Sequence, residues 1–157
     1  MAEAPRDREA EDRQAAALAY AAAGWSVVPM APRGKQPLLS WLEFQQRRAS
    51  DDEIRGWFQH WPEANIAVVT GEISNIVVLD IDPRHGGEAS LALLEDEIGP
   101  IPSTLEALTG GGGRHLYFAY PGRQVRNRAG LRPGIDLRGD GGIIIVPPSV
   151  HPSGKRY

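Results

Sequence analysis

The chain has 157 residues, with 17 Lys and Arg against 20 Asp and Glu and a formal net charge of −3. That length suits one domain with a sizeable core, and the 41% apolar fraction is ordinary for a globular protein. The lack of cysteine excludes a disulfide framework and thiolate-ligated zinc. No run approaches the roughly 18 apolar residues of a membrane span, so a cytoplasmic protein is expected.

Residues 1–14 are charged and poor in large apolar side chains, and read as a flexible tail ahead of a domain covering residues 15–157. The alanine-rich run Glu9 to Ala23 favours a helix that Gly24 stops. Trp25 to Val28 reads as a short strand ended by Pro29, and Ser40 with Glu43 as the cap of a short helix. Ser50-Asp51-Asp52-Glu53 is a capping box, behind which Ile54, Trp57, Phe58 and Trp61 form a buried helical stripe. Helical spacing favours core packing of those aromatics over base stacking.

Asn65 to Thr70 and Asn75 to Asp82 are rich in β-branched residues and read as strands around a turn at Gly71. A helix is expected from Gly87 to Ile98, with Leu91, Leu94 and Ile98 facing inward and Gly99-Pro100 as its stop. The last third reads as strands at Leu105 to Leu108, His115 to Tyr120, Ile135 to Arg138 and Ile143 to Val146, with Asp140-Gly141-Gly142 as a hairpin joining the last two. The class is therefore α+β. Arginines gather here (Arg114, Arg123, Arg126, Arg128, Arg132, Arg138, Arg156), so the slightly negative total does not exclude a nucleic-acid surface.

Three features carry chemistry. Period two puts Asp80 and Asp82 on one strand face, about 6–7 Å apart, where like charges repel unless a cation sits between them. Carboxylates are hard ligands suited to magnesium or manganese; a solvated strand end is the equal alternative from these residues alone. Gly110 to Gly113 form a run whose backbone N–H groups can approach an anion, ahead of His115, which shares its face with Tyr117 and Ala119. A flexible turn and a structural histidine are the plain alternatives. Asp136 and Arg138 share a face, as a third carboxylate with a phosphate contact or as a surface ion pair.

Together Asp80-Ile81-Asp82, Gly113-Arg114-His115 and Ile135-Asp136 resemble the motifs of the archaeo-eukaryotic primase superfamily, and in particular the bifunctional DNA primase/polymerase N-terminal domain of plasmid, phage and prophage replication proteins. The resemblance extends over Gly24 to Pro29, Gly34 to Pro37, Trp61 to Ile66, Val68 to Gly71 and Pro147 to His151, with Gly113 standing where relatives carry serine. It implies a core with an RNA-recognition-motif-like antiparallel sheet and helices, joined to a small N-terminal α/β unit. It further implies template-directed nucleotidyl transfer with two Mg2+ or Mn2+ ions on Asp80, Asp82 and Asp136, and no zinc. Gly111, Gly112, Gly113, His115, Arg138 and Lys35 would bind the nucleotide. The implied partners are nucleoside triphosphates, a single-stranded DNA template or primer, and a C-terminal helicase or DNA-binding region of a longer replication protein. The same carboxylates would also suit a metal-dependent phosphohydrolase or nuclease, and the fold a non-catalytic DNA-binding module of a replication initiator. No role is assigned to Ser149, His151 or Lys155, and His60 and His85 read as surface or turn residues.

Overall fold

A computed structural model describes residues 5–157, with side chains from residue 8 onward. Among the described residues there are three α-helices: α1 (Pro5–Ala22), α2 (Asp51–His60) and α3 (Gly87–Ile98). The strands are β1 (Ser26–Met30), β2 (Asn65–Val69), β3 (Ile76–Ile81), β4 (Leu105–Leu108), β5 (Arg114–Ala119), β6 (Arg128–Arg132), β7 (Ile135–Arg138) and β8 (Ile143–Val146). They form a three-stranded sheet ordered β1-β2-β8 and a five-stranded sheet ordered β4-β5-β3-β7-β6, with every strand pairing antiparallel. The chain is α+β, as its patterning predicts. No helix among the described residues is long and apolar enough to cross a membrane.

Local sequence explains the best-defined elements. Ser50 Oγ accepts the Glu53 N–H at 3.2 Å, and Glu53 returns a carboxylate to the Ser50 N–H at 2.8 Å, so the capping box starts α2 as expected. Ile54 and Phe58 are buried, and Trp57 and Trp61 pack half-buried against the same core. On the five-stranded sheet, Leu79, Ile81, Leu116 and Ile135 pack under Leu91 of α3, which covers that rear face. On the front face Val78 and Tyr117 join Ile66, Val68 and Val146 of the smaller sheet and residues of α1 and α2. Each fully buried Val or Ile in these clusters contributes about 1.5–3 kcal/mol.

Several expectations need correction. α1 begins at Pro5, so residues 5–14 of the expected tail are helical, while residues 1–4 lie outside the described residues. β1 runs through Pro29 to Met30, because an outer strand tolerates a residue that has no N–H to give. The 3-10 turn Leu42–Gln45 has Trp41 at its start and no side-chain cap, so Ser40 does not cap it; Glu43 pairs instead with Arg47. Ile98, the last residue of α3, is 68% exposed and does not face inward with Leu91 and Leu94.

The largest correction concerns Asp140-Gly141-Gly142, which is not a hairpin turn. β7 pairs with β3 and β6, whereas β8 pairs with β2, so the segment carries the chain from one sheet to the other. Asp140 fastens the crossing: Oδ1 accepts the Glu72 N–H at 3.0 Å, and Oδ2 accepts the Tyr120 hydroxyl at 3.0 Å and the Val125 N–H at 2.9 Å.

Candidate active site

β3 is the central strand of the larger sheet, and its register brings the chemistry together. Asp80 stands opposite His115 on β5 and opposite Asp136 on β7. Directly opposed residues share a sheet face, so the three side chains form one row. One step back, Val78 stands opposite Tyr117 and Arg138. Asp82 follows the end of β3 and caps the 3-10 turn Pro83–His85. Asp80, Asp82, His115, Asp136 and Arg138 border a cleft of about 330 Å³ with Lys35, Arg84, His85, Thr109, Gly111, Gly113, Gly134, His151 and Tyr157. Of the residues expected in a site, only Gly112 is absent from this lining.

The electrostatics follow from the row. His115 is 5% exposed; Nε2 lies 3.4 Å from Asp80 Oδ1, and Nδ1 is buried with no partner. The Arg138 guanidinium lies 2.7 Å from Asp136 Oδ2 and 3.7 Å from Asp80 Oδ2, bridging the two carboxylates, while its buried Nε lacks a partner. Burial pushes the Asp80 carboxyl up, but His115, Arg138 and Lys35 outweigh it and hold the group below its ordinary value. Burial likewise works upward on Asp82, yet Arg84 and His85 bring it down to about 2. His85 Nδ1 lies 2.8 Å from Asp82 Oδ2, and the Arg84 backbone N–H donates to Oδ1 at 2.9 Å.

The glycine run behaves differently from expectation. The Gly112 N–H donates to the Thr109 carbonyl and the Gly113 N–H to Thr109 Oγ1, so both are used inside the turn rather than aimed at an anion. Glycine is required at Gly113 for another reason: a Cβ there would collide with the Ile81 carbonyl of β3. The loop is thereby pressed against the strand that carries Asp80.

Residues without an assigned role in the sequence also line the cleft. Arg84 and His151 join Lys35 around Gly111, and the His151 imidazole is held below its usual range by burial and by the Lys35 and Arg84 charges. His85, read as a surface residue, is exposed but committed to Asp82. Tyr157 tilts against His115 with ring centroids 6.4 Å apart, and burial, then the Asp80 charge, raises its phenol to about 12. The signals were the Asp82-Pro83-Arg84-His85 turn, which follows the paired acids, and the Pro147 to His151 motif. Neither spacing reveals that both segments reach the same cleft.

The donor set fits a hard divalent cation in kind, because Asp80 and Asp136 present in-register carboxylate oxygens, which are hard ligands. In position the fit is partial. Among the described residues no three His, Cys, Asp or Glu side chains converge closely enough to hold a metal ion. Asp82 is turned towards Arg84 and His85, and Arg138 fills the space between the other two. A family model described as bifunctional DNA primase/polymerase, N-terminal, matches residues 17–157. No curated protein matches the chain.

Proposed function

Because the chain belongs to the family of bifunctional DNA primase/polymerase N-terminal domains, we propose that its part in replication is template-directed nucleotidyl transfer in the cleft at the end of β3. The observation that carries this reading is the row His115, Asp80, Asp136 on three adjacent strands, lining one cleft with Lys35, Arg84 and His151. The acids of the cleft suit a divalent cation and the bases beside them suit phosphates, a combination that matches a metal-bound nucleoside triphosphate.

Asp80 and Asp136 would hold Mg2+ or Mn2+, joined by Asp82 for a second ion; bound there, the ions supply charge neutralisation at the α-phosphate and activation of the attacking hydroxyl. The remaining work falls to side chains. Lys35, Arg84 and His151 bind the β- and γ-phosphates by charge-assisted hydrogen bonds. The buried Arg138 Nε–H is a donor without a partner in the protein, and His115 Nδ1 is likewise unpartnered. The 3′-hydroxyl oxygen forms the new ester bond to the α-phosphorus, the bond to the β-phosphate bridging oxygen breaks, and pyrophosphate leaves with the hydroxyl proton passing to water. Single-stranded DNA is the template, and the protein's replication context is that of a plasmid, phage or prophage element with a C-terminal helicase or DNA-binding region.

Calorimetric titration of a deoxynucleoside triphosphate with manganese tests this reading. The parent is expected to bind, and a folded Asp80→Asn, Asp82→Asn variant to lose the metal-dependent part. Equal binding by parent and variant, or none by the parent, removes the assignment. Pyrophosphate release on a primed template, without strand scission, separates it from a nuclease using the same carboxylates.

A further inference from the structure

Several arginines are matched to carboxylates: exposed Arg47 to Glu43 and Glu53 and Arg55 to Asp51 and Asp52, and half-buried Arg114 to Glu88 and Glu106 and Arg132 to Glu97. Exposed Arg33 and Arg48 stand singly without a carboxylate partner among the described residues, whereas Arg123, Arg126 and Arg128 lie within six residues of one another. All three are exposed, none has an acidic partner among the described residues, and residues 121–131 contain no Asp or Glu. In a chain of net charge −3, three neighbouring uncompensated guanidinium groups are a local departure that favours an anionic partner.

Their place in the sheet says what kind of anion. Arg128 stands opposite Leu137, a residue of the rear face, so it leaves the sheet away from the cleft and cannot reach a nucleotide bound beside Asp80. The segment is nevertheless tied to the site, because the Gly130 N–H of β6 donates to Asp136 Oδ1 at 2.7 Å. β6 is also the outer strand of its sheet, with a row of backbone N–H groups unpaired on the free edge. In the segment leading into β6, Arg123 lines a shallow polar groove with Gln45, Gln46, Glu72, Tyr120, Gln124 and Asp140, the last with its carboxylate already accepting from Glu72, Tyr120 and Val125. Arg128 on β6, with Arg126 and Arg123 in the segment leading into it, thus spaces three guanidinium groups along one stretch of chain tied to the site, which suits a polymer of phosphates rather than a single nucleotide. One row of donors fits one backbone.

We propose that the β6 edge, through Arg123, Arg126 and Arg128, binds the phosphate backbone of a single-stranded nucleic acid whose reacting end lies in the cleft. The identity of that strand as template rests on the proposed polymerase reading; the phosphate surface itself does not.

The test compares the parent with an Arg123→Ala, Arg126→Ala, Arg128→Ala variant for anisotropy of a labelled oligothymidylate over a salt series, alongside manganese–nucleotide calorimetry. The variant is expected to bind the oligonucleotide at least about tenfold more weakly, with a log–log salt slope shallower by about 2, from roughly 0.7 per lost phosphate contact. Its nucleotide affinity should equal the parent's. Arg55→Ala should change neither quantity, and the triple Arg→Lys variant should restore the slope, separating lost charge from lost fold. Unchanged affinity and slope in the alanine variant, no oligonucleotide binding by the parent, or a preference for duplex would overturn the proposal. A parent that binds oligothymidylate through these arginines but no manganese–nucleotide keeps the surface and removes the polymerase reading. Nucleotide binding with an unaffected triple variant does the reverse.

Discussion

Asp80 and His115 face each other across β3 and β5, with the carboxylate Oδ1 3.4 Å from the imidazole Nε2. The imidazole is therefore the nearest group opposing the upward push that burial exerts on the Asp80 carboxyl. Removing it in His115→Ala should raise the pKa of Asp80, read by carbon NMR of the labelled carboxyl. Loss of a donor to a charged group costs about 1.5–3 kcal/mol, so nucleotide affinity should fall by about tenfold to a hundredfold. An unshifted Asp80 titration would mean that Arg138 and Lys35 alone set its charge.

Asp82 gives the clearest pH dependence. Arg84 and His85 hold its folded-state pKa at about 2, below the unfolded value near 3.9. A depressed acid stabilises the fold above its unfolded pKa, and that contribution disappears as pH falls through the folded value. Denaturant midpoints of the parent and Asp82→Asn should differ by a constant amount above about pH 5 and converge towards about pH 2. Curves that stay parallel across the acid range would show that the Arg84 and His85 contacts contribute nothing to stability.

Patterns confined to one element were legible in the sequence. The capping box at Ser50 and Glu53, the shared face of Asp136 and Arg138, and the alternation that points Leu79 and Ile81 away from Asp80 all depend on residues within one turn or strand. Register between strands was not legible, because nothing in Ile76 to Asp82 states that β5 and β7 will be its neighbours. β6 was missed for a local reason: Arg128-Ala129-Gly130-Leu131-Arg132 has no β-branched residue and contains a glycine at its bulge. Arg84 and His151 are far apart in sequence and meet only when the segment after β8 returns over the glycine loop.

Gly134 fixes where Asp82 sits. Its carbonyl accepts the Asp82 N–H at 2.7 Å, its φ is +73°, and a Cβ there would collide with the Gly87 backbone at the start of α3. Gly134→Ala should therefore destabilise the fold by about 1–3 kcal/mol and weaken manganese-dependent nucleotide binding beyond that cost. A thermal melt and a calorimetric titration check the two effects separately. A variant as stable as the parent would show that β7 and α3 can part without penalty.

Asp140 lies at the far end of β7 from the cleft, so its removal separates stability from chemistry. Its carboxylate accepts from Glu72, Tyr120 and Val125, linking the crossing between sheets to three other segments. Hydrogen bonds to a charged group contribute about 1.5–3 kcal/mol each, but the exposed Glu72 N–H can turn to water, so the total should fall well short of three such bonds. Asp140→Ala is expected to lose about 2–4 kcal/mol in urea unfolding, with Asp140→Asn recovering part of it by keeping one acceptor oxygen. At a temperature where the variant remains folded, its affinity for manganese and nucleotide should match the parent's, because none of the cleft's lining residues touches this carboxylate. A stable Asp140→Ala protein would mean that the apolar pairing of β8 with β2 is enough to direct the crossing unaided.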